Sequence, residues 1–476
     1  MLNLPLQSSN GVRSRVFTAK GREPLRKVCA AHVLVSLFFL SLLFFLARSS
    51  DFLIPLLVAV VVVLMFGLLF APNIFLFLTP LSFFPASMPL LDPGSIFQTV
   101  RWAFLVLLGF SLIVRSRTVW LPRMQHLVYL SLALFVAVCM ASILYSSNEA
   151  MTLFKSLAFG FLLLVSVVHG VLPYEDGAAR ICSSFALLTI LVLLGCGVVA
   201  VRDGLTGPGG NFTGLFEDAN SLGAFAGMAI PFLLFSMVRR VEPCLSKRVM
   251  SGAVFLVALA FLLASHSRAG IGAAVLACGW WLLFSSRRAG ALIVVGTAVV
   301  ALVVAAYFPS HFTWAEQEYI LKNRDSVLQS RDNLWSKSLA SVEENPFGGA
   351  GFGVSPSVSQ GWPLSPETGK WGREKGNSYL AIAGEVGLVG ALLLLLPVAW
   401  VLFRATRWLS ECRRKREAGA EFWTVLALSS CLIGGLTDVF AEAWLTATGF
   451  FCTVMFWIAF GALAAQMTRR LHSGDR

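Results

Sequence analysis

Apolar runs of about 17 to 25 residues, the length that crosses a hydrocarbon core of about 30 Å, recur along nearly the whole chain. In lipid such a segment has only two stable forms, a helix or a closed barrel, because no water is present to satisfy backbone N–H and C=O groups. Barrel strands alternate apolar and polar positions over about ten residues, and these runs do not alternate. The sequence therefore predicts an all-α, polytopic transmembrane helical bundle. Charge content agrees: 13% of the 476 residues are charged, against about 25% in a soluble domain.

Spans are expected at 30–47, 52–70, 100–115, 124–146, 152–172, 179–201, 219–238, 249–265, 269–285, 289–307, 378–403, 422–440 and 444–466. The net charge of +12 is concentrated in short loops between them: Arg13 to Lys27, Arg115 to Arg123, Arg239 to Arg248, Arg287 and Arg288, Arg404 to Arg416, and Arg469 with Arg470. That is the positive-inside pattern, which marks topology rather than nucleic-acid binding. The basic N-terminus and the basic loop 115–123 belong on one side, so an even number of spans must separate them. Counting 73–90, with its three prolines, restores that parity. The result is about 12 to 14 spans with both termini cytoplasmic.

The organisation expected is a cytoplasmic tail 1–29, a bundle 30–307, one large extracytoplasmic loop 308–377, C-terminal spans 378–466 and a cytoplasmic tail 467–476. Residues 30–47 follow a basic stretch with no small-residue cleavage site after them, which reads as an uncleaved first span. None of the nine cysteines falls in the large loop, and no Cys-x-x-Cys or His-Glu-x-x-His occurs. No disulfide framework, metal site or cofactor is expected.

Three polar regions face outward together in this topology: 202–220, the tight hairpin Ser265 to Gly270, and the large loop. Arg268 sits where two apolar spans meet. Placing an arginine there costs about 2.5–3.5 kcal/mol if it is drawn to mid-bilayer, so it either snorkels to the headgroups or clamps an anion, which a guanidinium does bidentately. His266 lies two residues earlier, and in a turn the two can face one cavity. In the loop, 325–342 has the spacing of an amphipathic helix carrying Arg331 and Trp335. Two arginines on one side suit a pyrophosphate leaving group without a metal.

Asp218 and Asn220 open the span 219–238, either capping that helix or facing the cavity. Asn345-Pro-Phe-Gly-Gly-Ala-Gly-Phe-Gly353 lacks the lysine of a P-loop and follows no strand, so its glycines are read as serving a tight turn or a close backbone approach. Asp438, Glu442 and Glu385 are acids at or just inside span ends, with a functional or a bundle-bonding reading open for each.

Taken in order, Ser267-Arg268-Ala-Gly270, Arg331-x-x-x-Trp335, Asn345-Pro-Phe-Gly-x-Gly-x-Gly353 and Asn377-Ser-Tyr-Leu380 before Gly384-Glu-Val-Gly-Leu-Val-Gly390 resemble the O-antigen ligase / O-antigen polymerase (Wzy-type) family. Glu217-Asp-Ala-Asn220 is similar to that family's Pro-Asn element, with Ala219 in place of proline. The resemblance implies a metal-independent glycosyltransferase on the outer face of the bacterial inner membrane. Its donor would be an undecaprenyl-pyrophosphate-linked oligosaccharide, and Arg268 and Arg331 would contact the pyrophosphate. Asp218, Asn220, Trp335, Asn377 and Tyr379 are candidate substrate-cavity residues, and a chain-length regulator is a candidate partner.

One departure matters. Ligases of the family carry His-Asn before the last spans, the histidine serving as the acceptor-activating base, and here the pair is Gly376-Asn377. Glycine abstracts no proton, so polymerisation of O-antigen or exopolysaccharide repeats is expected ahead of ligation to lipid A core or protein. Glu374, His266 and His311 are the candidate bases. A lipid-linked oligosaccharide flippase is the reading from another class. It calls for cations inside several spans, where Lys155 is the main candidate, and leaves the large loop without a role.

Overall fold

The computed structural model describes residues 127–171, 177–205, 211–238, 245–285, 329–354 and 376–472. All of them belong to one unit, Leu64–Arg476; the other unit, Met1–Val63, and the expected spans 30–47, 52–70, 73–90, 100–115 and 289–307 lie outside the described residues. Ten α-helices are described: α1 Leu127–Ala141, α2 Glu149–Val171, α3 Gly177–Asp203, α4 Ala219–Val238, α5 Leu245–Ala264, α6 Arg268–Ser285, α7 Gln329–Glu344, α8 Ser378–Lys415, α9 Ala420–Asp438 and α10 Phe451–His472. No strand occurs among the described residues. Eight of the described helices are long and apolar enough to cross a membrane, and the apolar part of α5, Gly252–Ala264, is shorter.

Short connections make successive spans run antiparallel, so the ends of α1, α3, α5 and α9 gather with the starts of α2, α4, α6, α8 and α10. Among the described residues, the basic clusters around Arg413 on α8 and Arg469 on α10 fall at the opposite end, as the charge pattern predicted. Two boundaries differ from expectation. α8 runs to Lys415 rather than stopping near 403, because Arg404 to Lys415 is rich in good helix formers and places cations at the negative end of the helix dipole. α10 starts at Phe451 rather than 444, because the chain first turns back on itself over 439–450.

α10 and α4 form the centre, with 94% and 78% of their apolar windows buried, whereas α1 and α6 are each 33% buried over theirs. Small residues set the helix spacing, as expected where apolar lipid removes the hydrophobic drive between helices. A Cβ on Gly270 of α6 would lie 2.4 Å from the Gly223 carbonyl carbon of α4, and one on Gly434 of α9 would lie 3.3 Å from the Gly227 oxygen. α4, α6 and α9 therefore meet backbone to backbone. A second core is aromatic: Phe135, Phe159 and Phe352 contact one another and Trp457 sits edge-on to Phe159, with ring centroids 5.6–6.0 Å apart.

Candidate functional site

The first part of the site is the α5–α6 turn. Ser265 donates its hydroxyl to the Leu262 carbonyl at 2.7 Å and accepts from the Ser267 amide at 3.2 Å, while the Ser267 hydroxyl caps α6 by accepting from the Gly270 amide at 3.2 Å. His266, between them, takes the left-handed conformation at φ 52°, which a non-glycine residue adopts only where its surroundings hold it. Ser267 fits against Gly223, where a Cβ would come within 2.3 Å of it. Arg268 thus opens α6 at a position locked against the start of α4. A cation there opposes the helix dipole, while an anion at the same place would be favoured by both the dipole and the guanidinium. Asp218 caps α4, its carboxylate accepting from the Ser221 amide at 2.7 Å and hydroxyl at 2.9 Å. Of the two readings open for Asp218, capping is the one with bonds behind it; Asn220 is half-buried beside it.

The second part is the start of α8. Asn377 is its N-cap, buried, with its side-chain oxygen accepting from the Tyr379 and Leu380 amides at 2.8 and 3.1 Å. Ser378 ties this start to the 439–445 turn, donating to the Glu442 carbonyl at 2.9 Å and accepting from the Leu445 amide at 3.1 Å. The Tyr379 hydroxyl donates to the Leu436 carbonyl at 2.7 Å, and the Trp335 indole of α7 donates to the Gly376 carbonyl at 3.0 Å with its ring edge-on to Phe440. Trp335, Asn377 and Tyr379 are therefore brought together at the end of α9. α6 borders that end too, since a Cβ on Gly272 would touch the Thr437 methyl at 3.8 Å. Asp438, fully buried, accepts from the Trp444 indole at 2.7 Å. Arg331 is placed on α7 one turn before Trp335; Glu374 and His311 lie outside the described residues.

Replacing Asn377 with alanine removes the cap and is expected to cost about 1 kcal/mol. Thermal unfolding in detergent, together with faster amide exchange at 378–381, would register it.

The third part, the glycine-rich loop, does something the sequence did not announce. α8 is broken at Gly387, with φ 71° and ψ 175°. In an unbroken helix the Leu388 amide would bond the Gly384 carbonyl. Instead Leu388 donates to the Pro346 carbonyl at 2.8 Å, and the Gly384 and Glu385 carbonyls accept from the Ala350 and Gly351 amides at 2.9 Å each. The loop supplies all three missing partners. Its far end is held at Gly353, whose amide donates to the buried Glu385 carboxylate at 2.8 Å and whose carbonyl accepts from Lys155 of α2 at 2.7 Å. Between them, Phe352 fills the aromatic core and its amide donates to the Ser142 hydroxyl at 3.0 Å. Tyr145 donates its phenol to the Gly348 carbonyl at 2.5 Å; burial pushes that phenol above its ordinary pKa, so it keeps its proton. Lys155 and Glu385, considered above for other roles, both hold this loop. The alternate glycines at 349, 351 and 353 facing Gly384 and Gly387 were the available signal, but only the pairing of the two segments gives it meaning.

Fold and site together define a polytopic helical membrane protein whose glycine-rich loop is built into one end of its bundle. Residues 253–395 match the O-antigen ligase family model, a span that takes in the Arg268 turn, α7, the glycine-rich loop and the start of α8. No curated protein matches the chain. Over this segment the chain is similar to that family, as its motifs implied, and the likeness supports a general role in glycan assembly.

Proposed function

We propose that the protein is a glycosyltransferase that polymerises undecaprenyl-pyrophosphate-linked oligosaccharide repeats at the outer face of the bacterial inner membrane, with both termini in the cytoplasm. The observation that carries this reading is Arg268, fixed in the outward α5–α6 turn of the matched segment at a helix start suited to an anion. An acceptor sugar hydroxyl attacks the anomeric carbon of the donor. The new glycosidic bond forms as the bond to the lipid pyrophosphate breaks, and the hydroxyl proton passes to a base, for which His266, His311 and Glu374 are the candidates. Arg268 and Arg331 stabilise the departing charge.

Polymerisation is favoured over ligation by what stands in place of the ligase histidine. Gly376 has φ 65° and gives its carbonyl to Trp335, so the position serves the backbone turn into α8. Ligation is the second reading, favoured by the description of the matching family.

The test uses purified protein in liposomes supplied with undecaprenyl-pyrophosphate repeat units from the native host, with and without lipid A core. A size ladder from donor alone is the expected result. A single transfer that requires added core would make the protein a ligase, and no new glycosidic bond under either condition would overturn both readings.

A further inference from the structure

Beside the docked loop lies a cleft of about 400 Å³, lined by Tyr145, Ser147, Ser341, Glu344, Asn345 and the backbone of 348–350. Small-ligand sites span about 300–1,000 Å³, so the cleft has room for a small polar group. Its chemistry is selective. Among the described residues the lining side chains offer a carboxylate, a carboxamide, two hydroxyls and a phenol, and none of these is cationic or a bulky aliphatic group. A pyrophosphate would meet Glu344 with no compensating charge, and a lipid tail would leave the polar groups unpaired. A neutral polyhydroxylated ring fits: it exchanges hydrogen bonds with Glu344 and Asn345 and lays its C–H face on the half-exposed Tyr145 ring.

The cleft is also preformed. Its floor at Gly348 to Ala350 is fixed by the Tyr145 phenol on the Gly348 carbonyl, by the Gly349 amide on the Asn345 carbonyl at 3.0 Å, and by the Ala350 amide on α8. Gly349 stands at φ 69°, and a Cβ there would lie 2.4 Å from the Glu385 carbonyl carbon. Binding to such a floor need not order it first.

We propose that this cleft is a saccharide subsite that holds one sugar residue of the glycan, bound by Glu344, Asn345 and the face of Tyr145. The assignment rests on the reading that the protein acts on lipid-linked glycans, and it separates the place where sugar is held from the arginine turn where the pyrophosphate is held. The probe is the free oligosaccharide repeat, released from the host donor by mild acid. Its binding to the full-length protein in detergent is followed by saturation-transfer NMR and titration, which need no turnover. Glu344 and Asn345 are exposed, so Glu344→Ala and Asn345→Ala should unfold at the wild-type temperature. Each is expected to weaken binding about tenfold, the usual scale for losing a well-placed hydrogen bond to a charged or amide group, and Arg268→Ala should leave the affinity for this phosphate-free probe within twofold. Failure of wild-type protein to bind the oligosaccharide, or binding unchanged in both variants, overturns the subsite. The liposome ladder reports separately on the transfer reaction, so a wild-type ladder with unchanged binding in the variants would sink the subsite and leave the polymerase standing.

Discussion

Gly387→Ala should destabilise the protein by about 3 kcal/mol or more and abolish glycan transfer. The backbone there, φ 71° and ψ 175°, lies in a region essentially restricted to glycine, and forcing a side chain into it costs about 1–3 kcal/mol. Sterics add to this: a Cβ would sit 2.0 Å from the Phe347 carbonyl oxygen, which cannot move without pulling Pro346 off the Leu388 amide. The internal comparison is Gly279→Ala on α6, where a Cβ meets nothing within 4 Å and better helix propensity should give up to about 1 kcal/mol of added stability. Thermal unfolding of both variants in detergent decides the matter. Equal melting temperatures would mean that the break in α8 does not carry the structural weight assigned to it.

Arg268→Ala should lower the rate of ladder formation by about 10²- to 10³-fold, the scale for removing one preorganised group that stabilises developing charge, with little change in melting temperature. Arg268 is half-buried at the first residue of α6, in a turn pinned by Ser265, Ser267 and Gly223. A lysine is expected to recover only part of the rate, since a point charge does not reproduce the bidentate fork. Initial rates on a fixed donor concentration in liposomes test it. A variant that kept more than half the wild-type rate would remove Arg268 from the chemistry.

Hydropathy and charge made the bundle legible: helices expected at 124–146, 152–172, 179–201, 219–238, 249–265 and 269–285 are found within a few residues of those limits. Such signals are local, and each span carries its own. The break at Gly387 was not legible, because the glycines of Gly384 to Gly390 mark a motif without showing a break, and the partner of its orphaned groups is a loop some forty residues away. The same holds for Lys155 and Glu385, whose joint hold on Gly353 is a tertiary fact. Asn377 was legible as a site candidate but not as a cap, since an asparagine before a helix fits either role. The 439–450 turn was hidden for a different reason: its tryptophan, phenylalanine and leucine residues raise the hydropathy, while Asp438, Trp444 and Thr453 bend the chain through side-chain bonds.

The docked loop also constrains how the protein is made. The loop precedes α8 in the chain, and the Leu388 amide, like the Gly384 and Glu385 carbonyls, finds its partner there rather than within its own helix. An α8 released into lipid alone would carry those groups bare, at a cost of several kcal/mol apiece. The rings that receive Phe352 come from α1 and α2, and Phe159 of α2 is in turn set edge-on to Trp457 of α10. Biogenesis must therefore keep the loop waiting: it is made before α8 and locks only once the α8 groups it satisfies are in place.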